Sequence, residues 1–417
     1  RFMSRPTAEP SPSFSTHLAM YLILITAVVR LGTAMYLPAL PAMKSDLLLS
    51  AHQLSLTLTV YLLVFAGASI VLGPLSDHVG RTSLIRGGLI AFLAGSACCA
   101  WSNDAAALLV GRALQAVGGS AVQLSSRAMT RDALDDRAMM NVLGWIGVMS
   151  SLAPVLGPIL GGLITQSMGW RSNFYLLLLL ALLLLLSAWR NVPETLARDR
   201  RVQFNLPGTL NAYGVLLKSA NFMVPMLPVT LCFALQGAYL AASPFIFMRV
   251  FGMSPAAFGS TSLALVTALI AGRFLCMFLL KRHAPFTAWI TGCALCLAGG
   301  ISFLGVAITD HMTVFTVLAA SGLFCFGFGA LMPVGMKSAL SAFPERTGVA
   351  SALFGCLTLA ATGAGSALMG TLLRDSLGDV VVLAYLTGAV GGLTLLCGIF
   401  ARRAVNTVTT VAPQAAS

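Results

Sequence analysis

Charge is what this sequence lacks most: Asp, Glu, Lys and Arg together make up 9% of its 417 residues, while 58% are hydrophobic. An ordinary soluble domain carries about a quarter charged residues, so water is not the main solvent of this chain. Acids are scarcer than bases, thirteen against twenty-five. The bases fall in short clusters between apolar runs, not in the single stripe that a nucleic acid requires, so no nucleic-acid partner is expected. Also missing are the phosphate loop G-x-x-x-x-G-K-[ST], the zinc motif H-E-x-x-H and the nucleophile elbow G-x-S-x-G. Without them a primary pump or membrane enzyme has no support, and no cofactor or metal is expected. The nine cysteines all lie inside apolar runs, where a thiol behaves as a small hydrophobe. Cys293 and Cys296 form a C-x-x-C, but with neither a second pair nor polar histidines beside them they read as buried thiols.

Long apolar runs are abundant instead, each long enough to cross a hydrocarbon core of about 30 Å as a helix. The pattern predicts helices near 16–42, 53–75, 82–101, 104–130, 138–165, 171–190, 219–249, 255–280, 285–308, 311–340, 345–373 and 379–401. The expected fold is therefore an all-α membrane protein of twelve transmembrane helices. The one long polar stretch, 191–218, divides the chain into six-helix bundles at 16–190 and 219–403. A Ser/Pro-rich leader, 1–15, and a tail, 404–417, are expected to be cytoplasmic, the leader disordered. Eighteen Lys and Arg fall on the side of the termini and four on the other, which orients both ends to the cytoplasm of an inner-membrane protein. Trp101, Trp170, Trp189 and Trp289 lie near helix ends and read as interfacial anchors.

Three arginines, Arg30, Arg112 and Arg273, remain within the helices. Each costs roughly 2.5–3.5 kcal/mol or more unless it faces the bundle interior or a partner, which makes it a functional candidate. Gln115 lies three residues from Arg112 and so on its face. In the fifth helix Pro154 and Pro158 bend the segment, while Gly157 and Gly161 form a G-x-x-x-G that permits close approach of a neighbour. For a substrate cavity lined by helices 1, 4, 7 and 10, the best positions are Tyr36, Gln115, Gln236, Tyr239, Phe324 and Phe328. Few charges and several rings there suit neutral or lipophilic compounds.

GPLSDHVGRTSL, from Gly73 to Leu84, resembles the helix 2–3 loop motif of the major facilitator superfamily, matching at Gly73, Asp77, Gly80 and Arg81. His78 and Thr82 stand where that motif is basic. The resemblance implies a gate: Asp77 locks the halves on the cytoplasmic side in the outward-facing state, and Arg81 pairs with an acid near the end of helix 4, for which Asp132 is the candidate. GRALQAVGGS, from Gly111 to Ser120, is similar to R-x-x-Q-G-x-G-A, whose arginine is implicated in proton coupling. APVLGPILGG, from Ala153 to Gly162, resembles the motif of drug/proton antiporters. MYLPALP at 35–41, GWR at 169–171 and PET at 193–195 resemble the Bcr/CflA branch, which includes bacterial chloramphenicol exporters. What this implies is the major facilitator fold and a monomeric exporter of neutral or lipophilic, amphenicol-like drugs, working by alternating access in exchange for protons.

The acid which that branch carries before MYLPALP is Ala34 here, and all thirteen acids map to tails, loops or helix ends. A proton antiporter needs a titratable group facing its cavity. Arg30, one turn before Ala34, then has no partner there. Three accounts stay open: an engineered or transport-inactive variant, coupling through another group such as Asp46, or a carrier of anionic or neutral cargo using Arg30 and Arg112 as positive sites. Export of a small metabolite, such as a sugar or an amino-acid derivative, is the alternative within transport.

Overall fold

A computed structural model of the chain describes residues 12–196, 199, 201, 203–309, 311–374, 376–402 and 405, with side chains from Thr16 onward. Its first helix, α1 (Pro12–Ala34), stops where Pro38 would oppose the carbonyl of Ala34. Proline lacks the amide hydrogen and its ring clashes one turn back, so the helix breaks there. A 3-10 turn (Leu37–Ala39) and α2 (Leu40–Asp46) complete the first span, which runs to Asp46 instead of ending at 42.

The first half continues with α3 (Ala51–Val79), α4 (Arg81–Ala100), α5 (Ala105–Ala133), α6 (Asp136–Met168) and α7 (Arg171–Asn191). The stretch expected to be only a linker holds a further helix, α8 (Leu206–Leu217), started by an Asn205 cap and Pro207 and packed on α3 and, in the second half, on α9 (Ala220–Phe245) and α13 (Thr347–Leu372). That half comprises α9 (Ala220–Phe245, with a π turn at Ile246–Val250), α10 (Pro255–Arg282), α11 (Pro285–Ile308), α12 (Val314–Ser341), α13 (Thr347–Leu372) and α14 (Leu377–Phe400). Among the described residues, twelve segments are long and apolar enough to span a membrane. The expected leader falls partly outside the described residues, as does nearly all of the tail, and the chain is already helical from Pro12.

Three of the scarce acids cap helix starts. Asp104 and Asp135 accept the amides of Ala107 and Ala138, and Asp379 closes a capping box with Ser376. In the second half α11 packs on α12 as α4 packs on α5 in the first, and the halves meet along α3 against α13 and α6 against α10. An even number of spans puts the start of α1 and the end of α14 on one face, here the terminal face; the opposite one is the far face.

Hydrogen bonds and close contacts between the halves gather toward the far face. Arg249 donates to Ser45 at 3.0 Å, Thr59 to Ser366 at 3.1 Å, and Ser366 to the Ser55 carbonyl at 3.4 Å. Gly162 abuts Pro255, and Gly259 abuts the Pro158 carbonyl.

Two of the expected interfacial tryptophans are packing residues. Trp289 has no exposed surface and donates to the Gly398 carbonyl, and Trp170, 5% exposed, donates to Asp46. Each indole N–H is satisfied by the protein, so neither needs a headgroup.

Candidate functional site

Arg112 has no solvent-exposed surface. Its Nη1 donates to the Gly32 carbonyl at 3.0 Å and to Gln115 Oε1 at 2.8 Å, and Gln115 Nε2 donates in turn to Ser96 Oγ at 2.8 Å. The guanidinium carbon lies 4.0 Å from the ring centre of Tyr36 and 4.2 Å from that of Tyr61. The break after Ala34 turns Tyr36 onto one face, and α3 supplies Tyr61 on the other, its hydroxyl accepting from Thr33 at 3.1 Å. Two desolvated ring faces stabilise a cation by about 2 kcal/mol or more, which offsets part of the cost of holding this charge without a carboxylate. Arg112 Nε and Nη2 have no partner among the described residues. Tyr61, Thr33 and Ser96 carried no signal in the sequence, since their roles depend on which helices meet.

Tyr36 and Gln115 were expected to line the substrate cavity. Neither has exposed surface, and both are partners of Arg112, because α1, α3, α4 and α5 close completely around that side chain.

Arg30 is arranged otherwise. It is half-buried, its Nε is buried without a partner, and no hydrogen bond or ion pair among the described residues reaches it. Ala34 abuts Gly157 of α6, and Gly161 sits where any side chain would strike the Met35 carbonyl. Pro154 and Pro158 flank this seam within α6. Position 34 is turned about 200° around α1 from Gly32, whose carbonyl receives Arg112, so the site of the absent acid and Arg112 lie on different sides of the helix.

At the terminal face Arg81 is a hub. Its Nε donates to Asp132 Oδ2 at 2.9 Å, and its Nη1 reaches Asp77 Oδ1 and, at 3.0 Å, Ser76 Oγ. Glu194 was not singled out as a site residue, yet its carboxylate accepts the amides of Arg81 (2.8 Å), Thr82 (3.2 Å) and Leu196 (3.1 Å), capping the positive end of α4. It also occupies the space beside Gly80, whose φ of 103° excludes most other residues. Gly73 has open space at its Cα. At the far face Asp46 pairs with Arg171, whose guanidinium stacks 4.2 Å from Trp170.

In the second half Phe328 meets Phe233 of α9 edge-on at 5.1 Å, and Phe324 is 5% exposed, so both rings are mostly packed away from any opening. Gln236 is exposed, and Tyr239 is half-buried with its hydroxyl unpartnered among the described residues. Arg273, the third arginine within a span, is half-buried on α10.

The profile of the Major Facilitator Superfamily matches residues 22–330. A "Chloramphenicol resistance protein" of Pseudomonas aeruginosa is 31% identical over 382 residues, 89% of this chain and 87% of that protein. A "Multidrug resistance protein MdtL" of Citrobacter koseri is 30% identical over 345 residues, covering 81% of this chain and 85% of its own. Among solved structures, a bacterial homologue of the human lysosomal transporter Spinster, inward-facing and unoccupied, superposes with a TM-score of 0.73 at 15% identity over 96% of this chain and 98% of that one. A D-xylose–proton symporter does so at 0.71 and 16% identity over 94% and 97%.

Proposed function

This chain belongs to the Major Facilitator Superfamily, and we propose that it exports lipophilic, drug-like small molecules across the bacterial inner membrane by alternating access, with both termini in the cytoplasm. The observation that carries the proposal is the uneven distribution of contacts between the halves. They cluster toward the far face, from Ser45–Arg249 to Pro158–Gly259, as expected of a carrier closed outside and open to the cytoplasm.

In that reading Asp77, held here by Arg81 within its own half, moves to the second half when the cytoplasmic face closes. Gly80, Arg81 and Asp132 keep the α3–α4 turn rigid while it does, and Gly73 leaves room for the approach. Pro154, Gly157, Pro158 and Gly161 form the seam along which α6 slides on α1. Tyr239 and Gln236 offer polar contacts to the cargo, and half-buried Phe233 an apolar one. One copy of the chain contains the whole path, so the working unit is taken to be a monomer. Exchange against protons is the fuller form of this reading. With Ala34 in place of the acid, a charge-linked step would have to act on Arg112 in its tyrosine cage.

A resistance panel in an efflux-deficient host, with and without an uncoupler, tests the proposal. Expression is expected to raise resistance to lipophilic antibiotics, the uncoupler to abolish the gain, and Arg112→Ala to remove it. An unchanged panel overturns the export reading.

A further inference from the structure

Arg30 lies near the middle of the first span, turned about 200° around α1 from Gly32. Gly32 packs on Phe92 of α4 and Leu177 of α7, so Arg30 looks the other way, toward the place where the halves face each other. Its neighbours around the helix agree. Thr33 reaches Tyr61 of α3 and Ala34 abuts Gly157 of α6, and α3 and α6 are the helices of this half that pack against the second.

Arg127 of α5 lies within electrostatic reach of Arg30. It is exposed, and its side chain has no partner among the described residues. Gln123, one turn before Arg127 on the same face, has its Oε1 buried and unpartnered. No described Asp or Glu lies in the interior of any span. Two guanidiniums within electrostatic reach of each other, with no carboxylate to neutralise them, repel and favour an anion between them. The halves touch toward the far face, so Arg30 is approached from the terminal face.

We propose that the cargo is a lipophilic anion, an aromatic body bearing a carboxylate or sulfonate, with Arg30 holding the anionic group and Arg127 drawing it in from the cytoplasm. The proposal rests on the export reading and narrows its substrate class. It also supplies an energy source that needs no acid at position 34. A cell interior is electrically negative, so an anion leaves down the membrane potential, and 100 mV sustains a gradient of roughly 50-fold for one charge. The missing carboxylate is then expected, because a fixed negative charge in the cavity would repel such cargo.

The test uses the full chain, purified and reconstituted in vesicles, with 4-nitrobenzenesulfonate and its neutral match of similar shape, 4-nitrobenzenesulfonamide. The sulfonate is expected to bind at least tenfold more tightly. Its flux should follow a potassium–valinomycin potential and ignore a one-unit pH gradient at zero potential. Arg30→Gln should erase the preference, while Arg30→Lys, which keeps the charge, should retain part of it; melting temperatures show that both variants are folded. Equal behaviour of the two compounds, a preference that survives Arg30→Gln, or flux that follows pH at zero potential overturns the anion site. If those results appear while the vesicles still move a neutral amphenicol, export stands and only the anion site falls. If no compound of any charge moves under any gradient and cells gain no resistance, both readings fall.

Discussion

Arg112 and Arg30 are guanidiniums in the interior of the same six-helix half, one walled in by partners and the other left without them. Around Arg112 the protein has committed two tyrosine rings, a backbone carbonyl and a glutamine, and no surface of the side chain is exposed. Around Arg30 it has committed almost nothing, and Nε is left buried and bare. A buried charge held by dipoles and ring faces is a fixed part of the fold, whereas a charge without partners retains its attraction for something that comes and goes. Both occupy helices where a charge is costly, so the difference lies in whether the protein or a ligand compensates it.

The largest expected effect comes from the walled-in arginine. Arg112→Ala empties a site between two rings and leaves the Gly32 carbonyl and Gln115 without their donor, which should lower stability by about 3 kcal/mol. Arg112→Met fills the same space without charge, and exchanging a buried ion for a well-packed apolar residue is often neutral or stabilising. The methionine variant should therefore melt within a few degrees of the parent in detergent while conferring no resistance. If methionine destabilises as strongly as alanine, the charge itself holds the fold and the comparison fails.

A smaller effect is expected from the rings. Tyr61→Leu or Tyr36→Leu removes one cation–π face while keeping most of the apolar bulk, for a loss of about 1–2 kcal/mol. Combining either with Arg112→Met should cost less than the sum, since the ring no longer has a cation to face. Additive melting shifts would mean that the rings are only packing.

Much of the scaffold was legible because hydropathy acts locally. Twelve apolar runs became twelve spans, but the first was expected to run unbroken over 16–42, and the break before Pro38 was read through. Helix α8 escaped because the charged residues before it made the stretch read as a loop, although Asn205 and Pro207 carried the start signal of a helix. The site was less legible. Arg30 and Arg112 look alike in the chain, and only the packing of α3, α4 and α5 shows which is sealed. Glu194 lies 113 residues from Arg81, and no spacing rule connects a residue beyond α7 to the first turn of α4. Trp170 and Trp289 were assigned to interfaces by position near helix ends, whereas the bonds to Asp46 and Gly398 depend on neighbours distant in sequence.

Glu194 extends the comparison to a charge that the protein satisfies fully, with three amides on one carboxylate. Glu194→Gln keeps the shape but replaces an anion at a helix N-terminus with a neutral group, and about 1 kcal/mol should be lost. The loss should shrink in high salt, because the site lies at the terminal face where screening acts. A salt-independent loss would point to misfit of the amide instead of the lost charge.

The smallest effect on stability is expected at Arg30. No group in the fold depends on this side chain, so Arg30→Gln leaves no acceptor stranded and relieves the repulsion with Arg127. The change in unfolding free energy should stay within about 0.5 kcal/mol, the range of substitutions that break no named interaction, and its sign should be stabilising if the two cations repel in the empty carrier. Arg127→Gln should act the same way, and the double variant should gain less than the two singles together, because the repulsion can be removed only once. A melting temperature that falls by several degrees for Arg30→Gln would show that Arg30 is a structural charge like Arg112, and the distinction between the two arginines would be lost.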